Sequence, residues 1–289
     1  MSTAPLVPGL AGVARRRARR IAKSDKVTVA CLVVIGVALL AAILGAAGAP
    51  HDPNASNLND AYVGPGAGHP LGFDGEGRDL LSRLLAGART SILGPAAVVA
   101  LTLIAGVVLA VIAAWRGGWL DSVISIAMDL LFAFPGILLA VLAAAVFGPS
   151  LTAAALALAV AYTPYVARVL RSAAVRERAR EYIAACEVQG VSAWAICARH
   201  LVPNVARLIV SQGTLLFAYA MVDLAAISFI GLGVQAPQSD WGVMVATGRS
   251  GVLAGYPAES LSAGLCIVAV VVAVNLLGER LSERNEERR

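Results

Sequence analysis

The stretch RVLRSAAVRERAREYIAACEVQGVSAWAICARHLVPN, Arg168 to Asn204, differs from everything around it. It holds Arg168, Arg171, Arg176, Arg178, Arg180 and Arg199, with Glu177, Glu181 and Glu187 among them, and long apolar runs flank it on both sides. A charged segment of this size between apolar runs is a polar loop between membrane spans, and its arginines predict the cytoplasmic side. Residues 181–189 have helical composition, and Gly190 follows as a C-terminal stop. Ala184, Ala185 and Val188 fall at i, i+1 and i+4, giving that helix one small apolar face. Such a face suits a groove on another protein. A solvated hairpin without a partner has the same pattern.

Working outward, the chain has 289 residues, 58% hydrophobic and 14% charged, with a mean hydropathy of +0.77. That much apolar surface does not fit a water-soluble core of this size, so the solvent is a bilayer. The net charge of +5 is then a topological signal. No basic stripe interleaves with aromatics, so nucleic acid is not an expected partner. Cys31, Cys186, Cys197 and Cys266 lack metal-type spacing and read as small buried hydrophobes, with no disulfide and no metal expected.

Six spans are predicted, at about 27–49, 91–114, 122–147, 151–170, 205–230 and 258–277, in an all-α, polytopic membrane protein. Residues 1–26 form a basic cytoplasmic tail and 27–281 the membrane domain. That domain includes an external loop at 50–90, a cytoplasmic loop at 171–204 and an external segment at 231–257. Residues 282–289 form a second cytoplasmic tail. This arrangement puts 19 of the 23 Lys and Arg inside, which predicts both termini in the cytoplasm.

No nucleotide site is legible. The only lysines are Lys23 and Lys26, and neither follows a glycine as a phosphate-cradling loop requires. No catalytic triad, zinc motif or Cys/His cluster occurs, so the chain is not expected to be an enzyme. His51 and His69 lie in turn-like contexts beside prolines and are not assigned as ligands. Asp129 and Asp223 fall inside spans, where a carboxylate either faces a water-filled path or pairs with a neighbouring helix. Arg168 is expected to snorkel to the interface. Pro135 and Pro164 are expected to kink their spans. Pro203 is placed in the first turn of the fifth, where a missing N–H costs nothing.

Several segments carry a family resemblance. AACEVQG, nine residues and HLVP resemble the EAA loop of ABC-importer permeases, with Ala184 in place of the motif's Glu and Cys186 in place of its second Ala. HPLGFDGEGRDLLSRLLAGARTSI from His69, WRGGWLDSVISIAMDLLFAFPGILLA around Asp129, ISFIGLGVQAPQSDWGVMV (227–245) and the terminal NLLGERL are similar to the C-type permeases of the dipeptide/oligopeptide/nickel branch. Ile126 stands where that family often has an arginine, and Asp223 replaces a usual Glu.

The resemblance implies a type I ABC importer permease fold in a bacterial inner membrane. It implies pairing with a homologous B-type permease, with two ATP-binding subunits (or one two-domain ATPase) beneath and a substrate-binding protein outside. ATP-Mg would sit on the ATPases, and this chain would bind no cofactor. Glu181, Ala184, Ala185, Cys186, Glu187, Gly190, Val191, His200 and Pro203 would couple to the ATPase. Asp129, Phe134, Pro135 and Asp223 would border the translocation path. Asp74, Arg78, Asp79, Gln235 and Trp241 would belong to the surface that docks the binding protein. Peptides are the expected cargo, with nickel or haem as alternatives. A stand-alone ion-coupled carrier or a membrane-embedded enzyme are the readings from other classes.

Overall fold

A computed structural model of the chain describes residues 10–286; residues 1–9 and 287–289 of the two tails lie outside the described residues. The described residues are almost entirely helical, with only two isolated β-bridges. Five helical segments are long and apolar enough to cross a bilayer: Lys26–Gly48, Leu80–Arg116, Leu151–Arg178, Ala193–Phe229 and Ala258–Arg280. The sixth expected span is broken. It consists of α3 (Gly118–Phe132) and α4 (Gly136–Phe147), which meet at 82°. The cause is local. Pro135 has no N–H to give the ladder, and it disfavours helical backbone at Phe134. The Pro135 ψ of 132° turns the chain out of the helix. The smooth kink expected there is thus a full break, whereas Pro164 is accommodated within a continuous α5 (Leu151–Arg178).

The remaining elements are α1 (Leu10–Leu44), α2 (Leu80–Arg116), α6 (Glu181–Val188), α7 (Ala193–Ile196), α8 (Val202–Phe229), α9 (Trp241–Leu253) and α10 (Ala258–Glu286). Three differ from expectation. α1 starts at Leu10, so residues 10–26 of the basic tail are helical. α9 lies within the external segment at 231–257, where no element had been assigned. Its signal is an Asp240 N-cap followed by buried Trp241, Met244, Gly248 and Gly251 at helical spacing. α8 is preceded directly by α7 and a π-turn at Cys197–Leu201. Pro203 lies in the first turn of α8, as expected, although helical backbone continues behind it. Its ring would crowd the carbonyl of residue 199, and the wider π-turn falls at that place.

Small residues set the packing at the centre. α2 lies along α5, with Val98, Ala154, Ala155, Leu158 and Ala159 buried together with Ala220, Leu224 and Ile227 of α8. A Cβ on Gly106 would come within 2.7 Å of the Val166 side chain, so this glycine allows the two helices to approach closely. Thr102 Oγ1 donates to the Ala159 carbonyl at 3.2 Å across the same contact. A second core joins α1, α2, α9 and α10 through Ala38, Ala42, Leu84, Ala88, Trp241, Met244 and Val270. Arg280 near the end of α10 donates to Thr28 of α1, so the two terminal spans share one end of the bundle.

Candidate functional site

At that same end, α5 passes into α6 through Ala179 and Arg180. The α5 terminus is tied down first. Arg178 Nη1 donates to the carbonyls of Ala114, at 2.8 Å, and Trp115, which cap the end of α2, and the guanidinium lies 4.8 Å over the Trp115 ring. α6 then stops where Gly190 takes φ +77°. Val191 N–H reaches the Cys186 carbonyl at 3.1 Å, and Gly190 N–H reaches that of Glu187 at 3.0 Å, a Schellman-type ending that favours glycine. A Cβ at Gly190 would meet nothing within 4 Å, so the constraint within this chain is conformational and not steric.

Ile183 is the one buried residue of α6. Glu181, Ala184, Ala185, Glu187 and Val188 are exposed, Val188 at 90%, and Trp194 beside them is 82% exposed. Cys186 is half-buried and Val191 exposed. The small apolar face read from the sequence is therefore turned away from the chain. Behind it, Tyr182 Oη donates to Glu177 Oε1 at 2.6 Å. Asn204 Nδ2 donates to the same carboxylate at 3.0 Å and to Tyr182 Oη at 2.6 Å. Arg180 Nε lies 3.0 Å from Glu177 Oε2. One node thus joins the end of α5, α6 and the start of α8. Burial, with the Glu177 hydrogen bond, pushes the Tyr182 phenol above its ordinary pKa, which keeps it a donor. His200 packs its ring edge-on to Tyr182 at 6.2 Å. Tyr182, Glu177 and Asn204 were absent from the residues expected from the EAA resemblance, because their relation is tertiary.

The acidic residues inside the spans are paired. Asp129 of α3 bonds Arg168 of α5, and the guanidinium sits 5.3 Å over Phe132. Arg168, expected to snorkel to the interface, is thus held by an acid of the neighbouring helix. Asp121 takes both Nε and Nη2 of Arg171. These pairs border a cavity of about 310 Å³ between α2, α3 and α5, lined also by Ser125, Met128 and Ala167. Asp129 and Arg168 remain 65% and 56% exposed. Phe134 and Pro135, at the break, are exposed too. Asp223 is elsewhere: it accepts a 2.5 Å hydrogen bond from Tyr162, six residues before Arg168 and so about 9 Å away along α5. The structure does not bring the two acids together.

The opposite end carries the segment 50–79 and the turn before α9. Asp74 accepts from Arg78 Nε at 2.7 Å and from the N–H groups of Glu76 and Arg78, with Arg83 Nε at 3.4 Å. Asp79 caps α2 through Ser82. Burial would raise its pKa, but hydrogen bonds from Ser82 and His69 more than offset that and hold it low. Asp240 caps α9 and accepts from Ser91 Oγ at 2.8 Å, and Trp241 Nε1 donates to the Leu84 carbonyl at 2.9 Å. Asp74, Arg78, Asp79 and Trp241 are buried. Within this chain the four side chains turn inward, away from the outer surface where the docking expectation put them. Gln235 is exposed.

Residues 106–289 match the family described as binding-protein-dependent transport system inner membrane component. The chain is 35% identical to the dipeptide transport system permease protein DppC of Alkalihalophilus pseudofirmus, over 93% of this chain and 88% of that one. It is 35% identical to the probable D,D-dipeptide transport system permease protein DdpC of Escherichia coli, over 90% and 87%. It is 32% identical to the nickel transport system permease protein NikC of E. coli, over 87% and 91%. A chain of the MetNI methionine ABC transporter in an inward-facing conformation superposes with a TM-score of 0.57 at 17% identity, covering 71% of this chain and 97% of that one.

Proposed function

This chain belongs to the binding-protein-dependent transport system inner membrane components, as a C-type permease of the dipeptide/oligopeptide/nickel branch of ABC importers, and on that premise we propose that it forms half of a peptide translocation path. The other half is a homologous permease. A substrate-binding protein delivers the peptide, and two ATP-binding subunits supply the work through α6.

One observation carries the coupling role. α6 presents Ala184, Ala185 and Val188 outward while the Glu177–Tyr182–Asn204 node fixes it to both adjoining membrane helices. An apolar knob seated in an ATPase groove on one side and rigidly joined to α5 and α8 on the other converts closure of the ATPases into movement of the spans. Exchange between inward-open and outward-open states follows from that movement. The ion pairs of α3 and α5 support the location of the path. Charges this exposed are costly against hydrocarbon, so the α3–α5 face meets the partner permease or the aqueous path between the two.

Peptide is favoured as cargo because relatives of similar identity are named for dipeptides; nickel is the second reading, from a relative named for it. The test is reconstitution of this chain with its permease and ATPase partners. Peptide-loaded binding protein is expected to stimulate ATP hydrolysis. Stimulation by nickel-loaded binding protein alone would overturn the peptide assignment, and uptake by the lone chain without nucleotide would overturn the importer mechanism.

A further inference from the structure

His51, His69 and Asp79 are 28 residues apart end to end in sequence, yet the fold gathers them on the N-terminus of α2. His69 Nδ1 is 2.9 Å from Asp79 Oδ1, and His51 Nδ1 is 3.8 Å from Oδ2 of the same carboxylate. The two imidazoles stack, with centroids 4.2 Å apart and planes 26° from parallel. One ligand atom from each of the three residues lies within 4.8 Å of the others. A strut from His69 to Asp79 would by itself strap the loop. It does not account for a second imidazole aimed at the other oxygen, too far for a hydrogen bond and at a distance a shared cation would bridge.

From this cluster we infer a binding site for a divalent transition ion of the zinc class, with His51, His69 and Asp79 as its protein ligands. Metal–ligand bonds of about 2.0–2.2 Å in a tetrahedral shell put ligand atoms roughly 3.4 Å apart; the 2.9 and 3.8 Å distances, each to a different oxygen of Asp79, lie within about half an ångström of that spacing. The carboxylate is 3% exposed and the two imidazoles are 26% and 42% exposed. The site is therefore closed toward the protein and open toward solvent, where water completes the shell. Ser82 supplies the outer support. Its N–H and Oγ hold Asp79 Oδ2 at 2.8 and 2.5 Å, and its Oγ accepts the His51 N–H at 3.1 Å. Groups in that position orient ligands. As Nδ1 of a neutral His69 takes the ion, its one ring proton moves through solvent to Nε2, so each imidazole binds through Nδ1 with its proton on Nε2. The ion pins the start, middle and end of the 51–79 segment to one helix terminus. The sequence offered no hint of this, because none of the three has metal-motif spacing.

The experiment uses the full-length chain in detergent, with any affinity tag removed, equilibrated with zinc and desalted before metal analysis. One bound zinc per chain is expected. His51→Gln is expected to weaken binding on the order of tenfold or more, and the double variant His51→Gln/His69→Gln to hold none. His51→Cys keeps a ligand at that position: it is expected to retain the ion and, loaded with cobalt, to gain a thiolate charge-transfer band that the parent lacks. Zinc content in the parent no higher than in the double variant would overturn the site, as would undiminished zinc in the double variant. Retention by His51→Cys without the new band would remove His51 from the ligand set.

Discussion

The phenol of Tyr182 donates a 2.6 Å hydrogen bond to Glu177 Oε1, and through it the short helix α6 is joined to the last turn of α5. Asn204 closes the triangle from α8. A helix of eight residues is marginal by itself, so α6 owes its fixed direction to this node and to Ile183 beneath it.

Tyr182→Phe and Asn204→Leu are therefore expected to leave membrane insertion intact and to lower peptide uptake per ATP hydrolysed. Each deletes hydrogen bonds of about 1 kcal/mol, enough for a several-fold fall. The measurement is the coupling ratio in proteoliposomes; an unchanged ratio in both variants would remove the node from the coupling path.

At Gly190 two substitutions separate strain from contact. Gly190→Ala forces a side chain into φ +77° at about 1–2 kcal/mol and is expected to be partly active. Gly190→Trp carries the same backbone strain, its Cβ likewise meets nothing within 4 Å, and its ring enlarges the outward face of α6; it is expected to abolish uptake while the protein still accumulates. Equal uptake by the two variants would argue against a partner seated there.

The Asp129–Arg168 pair invites a charge exchange. Asp129→Ala leaves a cation unpaired in a span, so a severe loss of uptake is expected. Asp129→Arg combined with Arg168→Asp restores the pairing and should recover part of it. The double variant being worse than either single one would show that position, and not pairing, is what matters.

Asp240→Ala removes both the α9 cap and the acceptor of Ser91. The expected loss is on the order of 1–3 kcal/mol, read as a lower unfolding temperature in detergent. Thermal stability equal to the parent would show that the brace between α9 and α2 contributes nothing.

Local chemistry made a good part of this legible in advance. The stop at Gly190 and the bend at Pro135 follow from residues within a few positions of each other. Errors gathered where distance in sequence mattered. Asp129 lacks an arginine three residues before it on its own helix, at Ile126, and finds one 39 residues later on α5. Trp241 and Arg78 read as docking-surface residues, but Trp241 bonds the Leu84 carbonyl of α2, Arg78 bonds Asp74, and both are buried. The break between α3 and α4 went further than a kink, with the Pro135 ψ at 132° and the two helices at 82°.

By itself the sequence determined the solvent, the helical class and the small outward face of α6, since all are properties of runs and periods along one chain. Only the tertiary structure decided which charges pair, which motif residues are buried, and that His51, His69 and Asp79 meet. Those depend on helices packing closely enough, as at Gly106, for side chains far apart in sequence to come within bonding distance.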